Sequence, residues 1–372
     1  MNFLLTGGTG IVGSHVIFDW LKQAIKNNTQ EQLFVVIRDD DVFSAKERLI
    51  RVLNNDTRPD YLKHISIVSC LKRITIISED LVSIKKETLE AHQFSTIIHC
   101  AGSTNLSHAT SSKTVVHEQN YKATQQLLEN LPSSVNRFIY ISTAYSFGIQ
   151  NEVVNDSISE FSVDSFRNPY EQSKYETEQY VIKKCDSLNI ASQILRPSII
   201  CGRLLDKPFF ETPKYDVFYS WPMFLEKYSK KFNDAFRIWI HKESGLNIVP
   251  VDFVSKAILY ALNHPEIKEL NIVNPKQVLH KDYVGKVLES FKISNYEYID
   301  KMPINLNSFE TLYYKTIGQL FKNYISIPDL QFDAERINAI IKQLQLDATL
   351  GVHDNFMNLI NFSVEKKFRQ SY

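Results

Sequence analysis

Seven stretches of the chain carry apolar residues in continuous rather than alternating runs: NFLLT (2–6), QLFVVIR (32–38), RITIIS (73–78), STIIHCA (95–101), RFIYIST (137–143), ASQILRP (191–197) and ELNIVN (269–274). A strand with one wet face alternates apolar and polar residues, whereas a strand covered on both faces does not. Between these runs lie stretches of helical periodicity, such as 13–28, 118–131 and 251–264. Strands alternating with helices predict an α/β fold built on a doubly wound parallel sheet. Two regions break the rhythm. One runs from about Gly202 to Asn247 and is rich in aromatic residues and prolines; the other runs from about Lys276 to the C-terminus. The pattern divides the chain into a sheet domain, 1–202 with 246–275, and a smaller, mostly helical substrate domain, 203–245 with 276–372.

Bulk composition narrows the class. Apolar residues make up 44% and charged residues 23%, with a formal net charge of zero, so no bulk field attracts nucleic acid or an anionic membrane. No apolar run reaches the roughly 18 residues of a bilayer span, and the opening MNFLLTGGTG lacks the form of a signal peptide. A cytoplasmic protein is expected. Cys70, Cys100, Cys185 and Cys201 are scattered, and His99, His108 and His117 do not follow ligand spacing, so no metal site is expected.

The first run leads into TGGTGIVG (6–13), which opens the first helical stretch. Gly7 permits a tight turn, Gly10 lets a pyrophosphate approach the backbone beside Thr6 and Ile11, and Gly13 lets the helix pack close. A dinucleotide's phosphates would then meet the free N–H groups of a helix N-terminus. Further on, NPYEQSKYETEQYVIKK (168–184) holds a tyrosine four residues before a lysine twice, Tyr170 with Lys174 and Tyr180 with Lys184. Either pair shares one helix face. Spacing alone does not choose between them.

The TGxxGxxG turn and the Tyr-x-x-x-Lys pair resemble the extended branch of the short-chain dehydrogenase/reductase superfamily, whose fold is Rossmann-type. The resemblance makes Tyr170 and Lys174 the working pair, because they follow Ser142 and Thr143 at the family's separation; Tyr180 lies about 15 Å further along the helix. It also selects Thr143 over Ser142, five residues before Gly148, as the catalytic hydroxyl. In this reading Tyr170 donates a proton, Thr143 orients the carbonyl, and Lys174 holds the nicotinamide ribose and lowers the tyrosine pKa. The same likeness places Asp80 and Leu81 near adenine, and Ala101 and Gly102 along the cofactor. It makes Asn120 a helix-bending or water-holding support, and sets Pro197 and Ser198 at the nicotinamide amide. His99 reads as a core residue and Asp252 as structural.

Within that superfamily, VIRDD, STAY, YEQSKYETE, RPSII and NIVPVDFV look like the thioester reductase and fatty acyl-CoA reductase group. That likeness implies NADPH-dependent reduction of an acyl thioester, carried by CoA or a separate carrier protein, to aldehyde or alcohol. Arg38 ends the second apolar run, where an arginine suits the 2′-phosphate of NADP and an acidic residue suits NAD. Asp39 and Asp40 follow it directly, and Arg48 would add charge. Rival readings are a sugar-nucleotide epimerase or dehydratase, a ketone reductase, and a silent NADP-binding regulator. An oligomer is compatible with all of them.

Overall fold

The computed structural model of the chain describes residues 2–231 and 234–369. All seven apolar runs are strands of one sheet: β1 (Phe3–Thr6), β2 (Leu33–Ile37), β3 (Ile74–Ser78), β4 (Thr96–His99), β5 (Arg137–Ile141), β6 (Ala191–Pro197) and β7 (Glu269–Ile272). Their spatial order is β7-β6-β5-β4-β1-β2-β3, and every pairing is parallel. The register of β1 is typical: Phe3 lies beside Leu33 on one side and Thr96 on the other.

The sheet explains the unbroken hydrophobic runs. Successive side chains of a strand point to opposite faces, and here each face has its own core. Phe3, Leu5, Ile139 and Ile141 join one cluster with α1 (Ile11–Lys26), while Leu4, Phe138 and Tyr140 join the other. The second cluster is covered by two helices. One is assembled from α2 (Thr110–Val116), a π-helical stretch (His117–Lys122) and α3 (Ala123–Glu129); the other is α4 (Pro169–Ser187). Buried on both faces, the inner strands β1, β2, β4 and β5 have no wet position to alternate with.

The two irregular regions fold over the strands' C-terminal ends. They supply α5 (Ser220–Tyr228), α7 (His280–Ser290), α8 (Ser308–Lys315), α9 (Ile317–Ile325), α10 (Glu335–Gln343) and α11 (Val352–Glu365), while α6 (Val251–Asn263) packs on α1. A short parallel pair, Phe236–Trp239 with Tyr296–Ile299, joins the two regions to each other. No described helix is long and apolar enough to cross a membrane.

One buried charge cluster fastens the far edge of the sheet. Arg196 on β6 is fully buried, and its Nε donates to both Glu178 carboxylate oxygens (3.1 and 3.0 Å); Glu178, on α4, is also fully buried. Glu269 on β7 is a second ion-pair partner of the same guanidinium. Replacing Arg196 by leucine leaves Glu178 buried without its counter-ion, which typically costs about 3–5 kcal/mol. Urea unfolding of Arg196→Leu is expected to show that loss; a change under about 1 kcal/mol would mean the carboxylate is compensated elsewhere.

Candidate active site

The loops after β1, β4, β5 and β6 open into a cavity of about 310 Å³. At its floor, Gly7 adopts a left-handed backbone (φ +71°), and a side chain there would sit 2.7 Å from Ala101 N. A side chain on Gly13 would lie 2.2 Å from Gly7 O, whereas one on Gly10 meets nothing nearer than Gly7 O at 3.3 Å. Gly7 and Gly13 are therefore demanded by the fold, whereas Gly10 is crowded only by Gly7 O and is otherwise open at the start of α1. That opening is what a pyrophosphate on a helix N-terminus requires, so the loop fits a dinucleotide. Thr6 is buried beneath it, sharing a hydrogen bond with His99 Nδ1 (2.7 Å) and accepting one from Ala101 N (3.2 Å). His99 is wholly buried, its other ring nitrogen meets Thr124 Oγ1 (2.8 Å), and burial pushes it down to about 3. It is a neutral core histidine.

Two segments bring the hydroxyls together. Thr143 ends the β5 run as the cap of a single 3₁₀ turn, accepting from Tyr145 N (3.3 Å). Asn168 caps α4 through Glu171 N (3.0 Å) with Pro169 in the first turn, and so fixes where Tyr170 stands. The Thr143 hydroxyl acts on the Tyr170 phenol, and both residues face the cavity. Ser142 also faces it, with its hydroxyl unpartnered.

Lys174 lies one turn below Tyr170, and its ammonium donates to Ile141 O (2.7 Å) and Tyr140 Oη (3.1 Å). In the ligand-free chain burial pushes Tyr170 above its ordinary value, and the Thr143 hydroxyl opposes that rise. Burial also brings Lys174 down to about 8. Tyr180 is placed elsewhere, packed on Tyr121 (5.4 Å between rings) and directed toward Glu129. It does not line the cavity.

Of the remaining sequence candidates, Ile11, Gly102, Pro197 and Ser198 line the cavity. Asn120 sits inside the π-helical stretch and holds Ser103 from both sides, accepting from its N–H (2.7 Å) and donating to its carbonyl (3.2 Å); it also donates to Ser173 Oγ (2.9 Å). Ala101 follows β4 beside Gly7, and Leu81 packs on the second core. Arg38 and Asp80 stand outside the cavity at the ends of β2 and β3, bound to each other at 3.0 Å. The two aspartates after Arg38 are committed elsewhere. Asp39 accepts from Ala45 N (2.6 Å) and Ser78 Oγ (3.1 Å), and Asp40 accepts from Val42 N and Phe43 N and pairs with Arg48 (3.2 Å).

Trp221 on α5, Val284 and Val287 on α7, Tyr313 on α8, and Phe356 and Ile360 on α11 line the cap side of the same cavity and form its apolar arm. Beyond Lys174, the charged residues lining it are Lys214 and Asp216, which pair with each other at 2.9 Å. The only earlier signal for this arm was the aromatic density of residues 202–247.

A Rossmann-type sheet, a glycine turn at the first strand and a Thr–Tyr–Lys set under a cap define an extended short-chain dehydrogenase/reductase. More specifically, residues 5–258 match the profile of an NAD-binding family described as Male sterility protein, and the chain belongs to that family. A UDP-glucose 4-epimerase of Erwinia amylovora is 28% identical over 182 residues, 48% of this chain and 47% of that protein. The chain thus spans about half the length of the curated relatives it matches. Among solved structures, a thiolation-reductase di-domain from an archaeal non-ribosomal peptide synthetase is 19% identical with a TM-score of 0.65, covering 99% of this chain and 91% of that one. A UDP-glucuronic acid 4-epimerase from Bacillus cereus, in complex with UDP-glucuronic acid and NAD, is 17% identical with a TM-score of 0.62, covering 98% and 100%. At these identities the structures share the fold.

Two glycine variants separate folding from binding. Gly10→Val is expected to fold and to lose dinucleotide binding, because its side chain fills the space above the helix start, whereas Gly13→Val is expected to unfold the first turn. Fluorescence titration with circular dichroism checks both; a folded Gly10→Val that binds as the wild type does would remove the pyrophosphate from this loop.

Proposed function

We propose that the protein reduces an acyl thioester with NADPH, releasing a free thiol and an aldehyde that a second reduction would convert to alcohol. The observation that carries this reading is the apolar arm, which continues from Tyr170 and Thr143 with only the self-paired Lys214 and Asp216 as further charges. An acyl chain is at home there. A nucleoside diphosphate sugar would bring two phosphate charges to a wall that offers no arginine among its described residues.

In this mechanism the thioester carbonyl oxygen lies between the Thr143 and Tyr170 hydroxyls. A bound reduced nicotinamide supplies the hydride to the carbonyl carbon. Thr143 holds the oxygen as charge builds on it, and Tyr170 gives it a proton. Collapse of the resulting tetrahedral adduct forms the aldehyde and expels the thiol, so one thioester, one NADPH and one proton yield one aldehyde, one thiol and one NADP. Burial raises the phenol above its ordinary value, so in the ligand-free chain it carries its proton. Lys174, whose ammonium is held by Ile141 O and Tyr140 Oη, would meet the ribose with its remaining donor.

NADPH is favoured over NADH by Arg38 at the end of β2, where the neighbouring aspartates are occupied by local turns. The competitor for its guanidinium is Asp80. A charge-assisted contact to the 2′-phosphate is typically worth about 1.5–3 kcal/mol, roughly ten- to a hundredfold. Carriage of the acyl group by CoA or by a separate carrier protein follows from the family's reductases. The curated relative at 28% identity supports the second reading, a sugar-nucleotide epimerase.

Two measurements test this. Tyr170→Phe is expected to lower turnover by about 10²–10⁴ with cofactor affinity unchanged, and Tyr180→Phe to change neither; the reverse pattern would move the site to the second pair. For the substrate, NADPH oxidation and thiol release are followed together over a panel of thioesters and sugar nucleotides. One NADPH per thiol is expected where reduction stops at the aldehyde and two where it goes on to the alcohol, with Arg38→Ala weakening NADPH and sparing NADH. NADPH loss without thiol release would transfer the assignment to a ketone or sugar substrate.

A further inference from the structure

The segments carrying Thr143 and Tyr170 meet the cap at one buried cluster. Arg167, the residue before the α4 cap, is 2% exposed, and its Nη1 donates to Gly148 O (2.7 Å) while its Nε donates to Asn323 O at the end of α9 (3.1 Å). Its guanidinium lies 3.7 Å from Glu171 Oε2 and 3.6 Å from Asp329 Oδ1, over the rings of Tyr145 (5.3 Å) and Tyr324 (5.5 Å). Tyr324 on α9 donates to Glu171 Oε1 (2.6 Å) and accepts from Asn168 Nδ2 (2.6 Å). Tyr145 donates to Asp329 Oδ2 (3.0 Å).

Each tie joins a catalytic segment to the cap. Gly148 and Tyr145 belong to the turn that Thr143 opens, Asn168 and Glu171 bracket Tyr170, and Asn323, Tyr324 and Asp329 belong to the stretch that walls the cleft. Tyr145 and Tyr324 themselves face the cavity, as do Phe321 and Ile325. Stability alone is a weak reason for such a cluster, because burying two carboxylates costs as much as one arginine returns. Burial pushes Glu171 up to about 7 and Asp329 up to about 6 against the pull of Arg167 on both. Arg167 Nη2 and Asp329 Oδ1 also remain without a hydrogen bond, so charge rather than a directed bond closes the seam there.

We infer that Arg167, with Tyr324 and Asp329, is a positioning latch that sets the Thr143–Tyr170 hydroxyl pair in register with the apolar arm of the cleft. The consequence for turnover rests on the thioester reading above; the mechanical coupling does not. Without the latch the protein folds and binds cofactor, but the two hydroxyls no longer hold one distance from the carbonyl, which turnover feels steeply.

Tyr324→Phe tests this, since it removes one hydroxyl that bridges α4 and α9. Hydrogen exchange is expected to quicken about tenfold, the worth of a hydrogen bond to a charged group, in 143–150, 168–174 and 323–329 together. In the same variant kcat for the thioester falls about tenfold while cofactor Kd matches the wild type, whereas Tyr180→Phe changes none of these. Faster exchange confined to 323–329, or unchanged kcat in a variant with reduced stability, overturns the latch and leaves a structural contact. If the wild type turns over no thioester, the thioester reading fails and hydrogen exchange alone decides the coupling. Should Tyr324→Phe not fold, Tyr145→Phe, which cuts the tie to Asp329, carries the same comparison.

Discussion

Between β1 and β4 the winding of the sheet reverses, and the cleft exists because of that reversal. Parallel strands joined by right-handed crossovers send successive helices to one face until the order turns back, and then to the other. The loops after β1 and β4 therefore leave in opposite directions, and the space between them cannot be filled by either. Gly7 against Ala101 N, and Gly13 against Gly7 O, show how tightly the chain closes around the floor of that gap. The hydroxyl and ammonium groups reach it from β5 and α4 because those elements lie next along the sheet.

The fold was legible because its constraint is local. Strands buried on both faces are predominantly apolar without alternation, and all seven runs appear as strands. The start of α4 obeys the same kind of local rule, because the Asn168 cap and Pro169 act on their own turn. Pairings across the sequence were not. Arg38 with Asp80, Arg196 with Glu178, and Arg167 with Asp329 are fixed by strand order and cap docking, neither of which leaves a periodic trace. The π-helical stretch around Asn120 also escaped periodicity, since one wide turn shifts a helix face without altering its composition.

The Thr143, Tyr170 and Lys174 set was reachable from spacing combined with family likeness, but its electrostatics required coordinates. In the folded chain the ammonium is held by Ile141 O and Tyr140 Oη, and burial raises Tyr170 above its ordinary value. The cap residues that shape the apolar arm come from four helices between Ser220 and Glu365. Aromatic richness hinted at such a wall without saying which side chains would form it.

The account stands on hydride reaching a thioester carbonyl carbon between Thr143 and Tyr170. NADPH carrying deuterium at both C4 positions, incubated with the protein and an acyl thioester, traces that transfer by mass spectrometry of the products. The account predicts one deuterium on C1 of the aldehyde and none elsewhere in the acyl chain. Label that stays in the nucleotide, or that passes to a sugar nucleotide or ketone and never to an acyl product, would contradict it.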